Sequence, residues 1–207
     1  MKKIKLSENL ELSQVVMGCM RIADSNLTEN ELLNLVEKCL DMGVTSIDHA
    51  PVYGGYTCEK IFGDAVLRKR PELRDKMQII TKAGIVCPGH YGNKTIYYNS
   101  TKEEILKEMD ESLEKLGTDH VDLLLIHRPD PLADPADALE TVVKQGKALN
   151  VGVSNFMPSQ LTMLQSYMDI PLVTNQMELS VKNTENFFNG VVDDAFTRRI
   201  PLMAWSP

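Results

Sequence analysis

Thr101-Lys102-Glu103-Glu104 opens a stretch that carries Ile105, Met109, Leu113 and Leu116 to Gly117 and then runs into Val121-Asp122-Leu123-Leu124-Leu125-Ile126-His127. The Thr-x-x-Glu opening has the form of a capping box, the apolar spacing predicts one buried helix face, and the glycine supplies a stop. The run that follows is apolar almost throughout and too short for a helix. It reads as a strand buried on both faces, which is the parallel-sheet pattern. A helix feeding such a strand is half of a βαβ unit.

The same alternation extends in both directions. Upstream, Ile4-Lys5-Leu6 and Leu10-Glu11-Leu12 flank a Ser-Glu-Asn turn and predict a small hairpin. Val15-Val16-Met17-Gly18 is the first strand of the main series. A helix follows from Thr28, whose Thr28-Glu29-Asn30-Glu31 is again a capping box, and Gly43 ends it. Next come a strand ending at Asp48, a helix from Cys58 to Leu67 and a strand ending at Lys82. Downstream of His127, helices are predicted over Pro135 to Lys144, Pro158 to Tyr167 and, more weakly, Thr184 to Phe196. Strands are predicted over Asn150 to Ser154, Leu172 to Met177 and Pro201 to Pro207. Seven strands and six helices follow the hairpin in this reading.

Strands alternating with crossover helices mean a parallel sheet covered on both sides. The fold class predicted is α/β, a (β/α)8 TIM barrel preceded by a β-hairpin, with seven of eight strands in residues 1–207 as one domain incomplete at its C-terminus. An open doubly wound sheet is the rival, but GxGxxG is missing after the first strand.

Composition bounds the function. The chain has 207 residues, 43% hydrophobic and 25% charged, with a net charge of −7. That balance, without a basic run, argues against a nucleic-acid or anionic-membrane surface. No stretch approaches the ~20 apolar residues of a membrane span, and the start lacks an apolar signal core. Cys19, Cys39, Cys58 and Cys87 show neither CxxC nor Cys/His metal spacing, so reduced thiols in a cytoplasmic protein are expected, with no metal site.

Three of the strands end in Asp48, Lys82 and His127, and Tyr53 follows the first of these in the next loop. Each has a plain structural reading: an ion pair, a hydrogen-bonded histidine, a packed tyrosine. Together, at successive strand ends on the face where barrel enzymes place their chemistry, they point to catalysis. A phenol with an ordinary pKa near 10 gives up a proton more readily when an ammonium stabilises its anion. An aspartate keeps that ammonium charged and aimed, and a histidine can hydrogen-bond a carbonyl oxygen.

These residues sit in motifs that resemble the aldo-keto reductase family, in a bacterial branch of predicted oxidoreductases. The matching segments are Gly43 to Gly54, Ile80-Thr81-Lys82, Leu116 to His127, Gly146-Lys147, Val151 to Phe156, Asn175 to Glu178 and Met203 to Pro207. The resemblance implies NADPH-dependent reduction of an aldehyde or ketone. Tyr53 would be the general acid, Lys82 would lower its pKa, Asp48 would support Lys82 and His127 would orient the carbonyl. It also assigns Ser154, Asn155 and Gln176 to the nicotinamide carboxamide, Trp205 to stacking on that ring, and Ser206, Met20 and Arg21 to the cofactor cleft. Alone, Ser154 and Asn155 equally suit a helix N-cap before Pro158, and Trp205 equally suits a core.

The segment from Ala83 to Ser100 is long for a barrel connection and is expected to form a wall of the substrate pocket. Family members are longer, and the resemblance places the grip on the adenosine 2′-phosphate beyond Pro207, so NADPH binding by these residues alone is expected to be weak. A monomer is expected unless the open sheet edge pairs. Four other readings compete: a regulatory barrel that binds the nucleotide without turnover, an inactive fragment, a Lys82 Schiff-base enzyme of aldolase type and a metallohydrolase using Asp48, His49 and His127. The last lacks HxH or HExxH spacing.

Overall fold

The computed structural model describes residues 1–207. In chain order the elements are β1 (Lys3–Lys5), β2 (Glu11–Ser13), β3 (Val16–Gly18), α1 (Glu29–Asp41), β4 (Ser46–Asp48), α2 (Cys58–Phe62), β5 (Gln78–Ala83), β6 (Ile85–Val86), β7 (Tyr97–Tyr98) and α3 (Lys102–Leu116). They continue as β8 (Leu123–Ile126), α4 (Ala136–Lys144), β9 (Val151–Ser154), α5 (Pro158–Gln165), β10 (Leu172–Glu178), α6 (Val191–Arg198) and β11 (Leu202–Trp205). The seven predicted main strands form one sheet in the order β11-β10-β9-β8-β5-β4-β3, and every pairing in it is parallel.

The two-residue period of the strands sorts side chains into an inner and an outer layer. Ile79 of β5, Leu124 and Ile126 of β8 and Val151 and Val153 of β9 join the main core with helix residues such as Val36, Ile105, Met109 and Leu139. Ile80, Leu123, Leu125, Val173 and Met203 face the other way and pack with Leu10 and Leu12. The amino-terminal hairpin therefore closes one end of the sheet's inner face. Its Ser13 is tied to β4, since Ser13 N–H donates to Ser46 Oγ at 2.8 Å and Ser46 N–H donates to Ser13 Oγ at 3.1 Å.

The sheet is strongly curled. Strands β4 and β10 stand four places apart, which in a flat sheet would separate them by about 19 Å at ~4.8 Å per strand. Yet Gln176 Nε2 lies 3.4 Å from Asp48 Oδ1. The sheet is thus seven strands of a β/α barrel wall, as the alternation predicts.

Several local expectations change. The Thr28 capping box is present, but the Thr101 box is not: Thr101 Oγ1 donates to Asn99 Oδ1 at 2.8 Å and caps nothing. The helix predicted to Leu67 becomes a π-turn over Gly63–Leu67. There Gly63 approaches the end of α3 so closely that an added Cβ would lie 2.1 Å from the Lys115 carbonyl oxygen. The helix predicted from Thr184 is broken into a 3₁₀ turn at Glu185–Phe187 and α6, because Gly190 takes a φ of 92°. Residues 83–100 are not structureless, since β6 and β7 pair antiparallel within them.

Candidate active site

The inner-face parity that places Ile80 in the barrel also places Lys82 there, two residues on, and Ser46 is followed likewise by Asp48. The site is therefore the polar end of the inner layer at the carboxyl ends of the strands. Lys82 is only 1% exposed, and burying an unpaired ammonium there would cost several kcal/mol. It is fully engaged: Nζ donates to Asp48 Oδ1 at 2.8 Å, Asp48 Oδ2 at 2.7 Å, the His49 carbonyl oxygen at 2.8 Å and Tyr53 Oη at 2.9 Å. The His49 carbonyl is a part of this site that the sequence reading missed, and a backbone acceptor leaves no signal in residue type.

Burial acts to depress the Lys82 pKa, but Asp48 and then Tyr53 outweigh it and hold the group above the usual lysine value. For Tyr53, burial is the largest influence and raises its pKa. The Lys82 ammonium pulls it down but does not win, so the phenol is protonated across the physiological range. His127 stands apart from the hydrogen-bonded trio, with its ring edge-on to Tyr53 and 6.1 Å between centroids. Burial, then Lys82 and Arg128, push its pKa down to about 3, leaving a neutral imidazole.

Ser154, Asn155, Gln176 and Trp205 form the facing side. Ser154 Oγ donates to the Gln176 carbonyl at 2.9 Å, and Asn155 Nδ2 donates to Ser154 Oγ at 2.8 Å and to the His127 carbonyl at 3.2 Å. Trp205 Nε1 donates to Asn155 Oδ1 at 3.1 Å. Asn155 has a φ of 62°, an uncommon backbone state that asparagine tolerates better than most residues. The helix-capping alternative fails, because α5 starts after Met157, whose N–H donates to Gln160 Oε1 at 2.9 Å. Met20, Arg21 and Ser206 are exposed beyond the ends of β3 and β11, and none of their side chains hydrogen-bonds to Asp48, Tyr53 or Lys82.

The β6–β7 hairpin is clamped to the loop after β8, where Asp130 Oδ2 accepts from Ser100 N–H and Oδ1 from Leu132 N–H, both at 2.9 Å. A second buried polar group, Glu108 of α3, accepts from Gly84 N–H at 2.6 Å. Burial lifts the Glu108 pKa to about 8.

A parallel β/α barrel wall with a buried Asp–Lys–Tyr cluster at its carboxyl end has the form of a barrel enzyme, and sequence comparison makes the class specific. Residues 14–207 match the Aldo/keto reductase family, and the chain belongs to it. It is 46% identical over 212 residues to the oxidoreductase YcsN of Bacillus subtilis, spanning 100% of this chain and 70% of that protein. It is also 46% identical over 213 residues to a 6-dehydroglucose reductase of Agrobacterium fabrum, of which it spans 71%. The thermostable aldo-keto reductase Tm1743, solved with the inhibitor epalrestat, superposes with a TM-score of 0.83 at 27% identity, covering 100% of this chain and 73% of that one. The chain is thus an oxidoreductase of this family, spanning about 70% of the length of these two curated relatives.

Proposed function

We propose that residues 1–207 act as one barrel domain that reduces an aldehyde or ketone with NADPH, Tyr53 serving as the general acid. The observation that carries this reading is the single ammonium, Lys82 Nζ, held between both Asp48 oxygens and 2.9 Å from the Tyr53 hydroxyl. A reduced nicotinamide, when bound, supplies the hydride. The carbonyl oxygen gains negative charge as the hydride arrives and takes the proton from Tyr53 Oη. Lys82 then stabilises the phenolate left behind, and Asp48 keeps Lys82 charged. His127, neutral, can donate its N–H to the same carbonyl oxygen and fix its direction without competing as an acid.

The facing side suits a carboxamide. Ser154, Asn155 and Gln176 offer hydroxyl and amide groups, which can both donate and accept, and the Trp205 indole provides an apolar plane beside them. That the Agrobacterium relative is named for the reduction of 6-dehydroglucose supports carbonyl chemistry on this scaffold. The four free cysteines accord with action in a reducing cytoplasm. Nucleic acid and membrane play no part in this reading, and the protein acts as a monomer on a small molecule.

The test is Tyr53→Phe, assayed by NADPH oxidation with a panel of aldehydes at high cofactor concentration. Loss of one general-acid contribution should lower turnover by roughly 10²-fold or more. Cofactor binding, followed by quenching of Trp205, the only tryptophan, should persist. Undiminished turnover in this variant would refute the assignment.

A further inference from the structure

Most of the arginines in this acidic chain have found carboxylates: Arg68 pairs with Asp64, Arg70 with Glu37 and Glu72, Arg74 with Asp122, and Arg198 with Asp194. Arg128 has not. It follows His127 directly at the carboxyl end of β8 and makes neither an ion pair nor a hydrogen bond. Its guanidinium carbon lies 6.0 Å from the centroid of the Trp205 ring.

The nearest carboxylate in sequence, Asp130, is turned away, its two oxygens occupied by the N–H groups of Ser100 and Leu132. Asp134 likewise accepts from Ala136 N–H at 3.0 Å. The other cation of the site, Lys82, is neutralised by Asp48. What remains at the end of β8 is an uncompensated guanidinium 6.0 Å from the centroid of the Trp205 ring, with the likewise unpaired Arg21 exposed beyond the end of β3, in a protein whose net charge of −7 repels anions elsewhere.

We propose that Arg128 is a specificity-determining residue that selects carbonyl substrates carrying a carboxylate or phosphate a few bonds from the carbonyl. A guanidinium presents a planar fork of donors that matches either anion with two parallel hydrogen bonds. Its guanidinium carbon lies within cation–π range of the indole, at 6.0 Å from the ring centroid, and its N–H donors have no protein acceptor. The anion would sit at those donors while the carbonyl oxygen reaches Tyr53 and His127 deeper in. The inference rests on the carbonyl-reductase reading for what happens to the substrate, but not for the binding itself.

The experiment uses the 207-residue chain with NADP⁺ present, so that no reduction occurs, and measures binding by calorimetry and Trp205 emission. Succinic semialdehyde is compared with butanal, its uncharged counterpart, and glyceraldehyde 3-phosphate with glyceraldehyde. The charged member of at least one pair should bind about tenfold tighter or better, as expected for hydrogen bonds to a charged group. The pair that shows the larger ratio identifies carboxylate or phosphate as the preferred anion. Arg128→Gln should bring that ratio near one while leaving the uncharged aldehyde unchanged, and Arg128→Lys should restore part of it.

Equal affinity for charged and uncharged members in the unaltered chain overturns the proposal. So does an Arg128→Gln variant that weakens both alike, which would make Arg128 a packing partner of Trp205 only. Charge-selective binding without reduction of the same aldehydes by NADPH would uphold the Arg128 site and defeat the carbonyl-reductase reading. Reduction without charge selectivity would do the reverse.

Discussion

Asp48→Asn is the sharpest test of how this site is held together. The substitution keeps the shape and one acceptor oxygen, but removes the only formal negative charge in contact with Lys82 Nζ. The ammonium keeps its hydrogen bonds to the His49 carbonyl and Tyr53 Oη, so the loss is charge compensation rather than all its partners. With Lys82 1% exposed, water cannot take over. Breaking a buried pair by removing one partner destabilises by about 3–5 kcal/mol, and the surviving acceptors favour the lower end. With a urea m-value of about 2 kcal/mol/M, the unfolding midpoint should fall by at least about 1.5 M.

The pH dependence should also change sign. In the unaltered chain the Lys82 pKa is raised on folding. Its stabilisation is therefore complete below the unfolded lysine pKa and is lost as pH rises through the folded one. In Asp48→Asn burial dominates, the folded lysine sheds its proton more readily, and stability should climb with pH towards ~10.4, by up to about 1.4 kcal/mol per unit. The double variant Asp48→Asn/Lys82→Met should recover much of the loss, because it removes the stranded charge. A midpoint shift below about 0.5 M, or a double variant no more stable than Asp48→Asn alone, would refute the reasoning.

Three further outcomes follow from other buried groups. Glu108→Gln should be more stable than the unaltered chain at neutral pH: a carboxyl with folded pKa about 8 loses stability as pH rises above its unfolded value, so the gap should widen from pH 5 to 7 in urea titrations. A constant gap would contradict this. His49→Leu should be neutral or stabilising in thermal melts at pH 7, since both ring nitrogens are buried without partners, and it should reduce acid sensitivity. The His49 pKa is depressed to about 3, so stability falls as pH drops below 6.5, and the variant should lose one proton's worth of that slope. Gly63→Ala should destabilise by about 3 kcal/mol, because its Cβ would meet the Lys115 carbonyl oxygen at 2.1 Å and cannot displace backbone cheaply. A melt unchanged within a degree would show that α3 yields there.

Much of this was readable from residue order, for a physical reason. Parity along short parallel strands is rigid, so Ile80 and Lys82 must share a face, as must Leu125 and His127. That fixes which polar residues gather at the carboxyl end before any packing is known. Helix ends were less legible: Thr28 and Thr101 carry the same Thr-x-x-Glu pattern, yet Asn99 captures the second threonine's hydroxyl. The π-turn at Gly63 and the two-residue strands β6 and β7 depend on tertiary contacts with no local signature. Nor does order along the chain reveal that Gln176 meets Asp48, because that contact exists only through the curl of the sheet. The burial of Tyr53, which opposes the pull of Lys82 on its phenol, likewise comes from packing that residue order does not show.

The Gln176–Asp48 contact spans the mouth like a stave brought round to its opposite number. The pairing order runs from β11 to β3, with β10 and β4 one place in from each end, so this weak 3.4 Å link measures how far the sheet has rolled. Any molecule that touches the Ser154–Gln176 side and the Asp48–Tyr53 side together binds the rolled sheet and not a flattened one. By linkage its binding free energy is added to the stiffness of the wall, as RT ln(1 + [L]/Kd). Occupancy of the mouth thus acts as a hoop on the barrel, and resistance to unrolling becomes a readout of binding that needs no turnover.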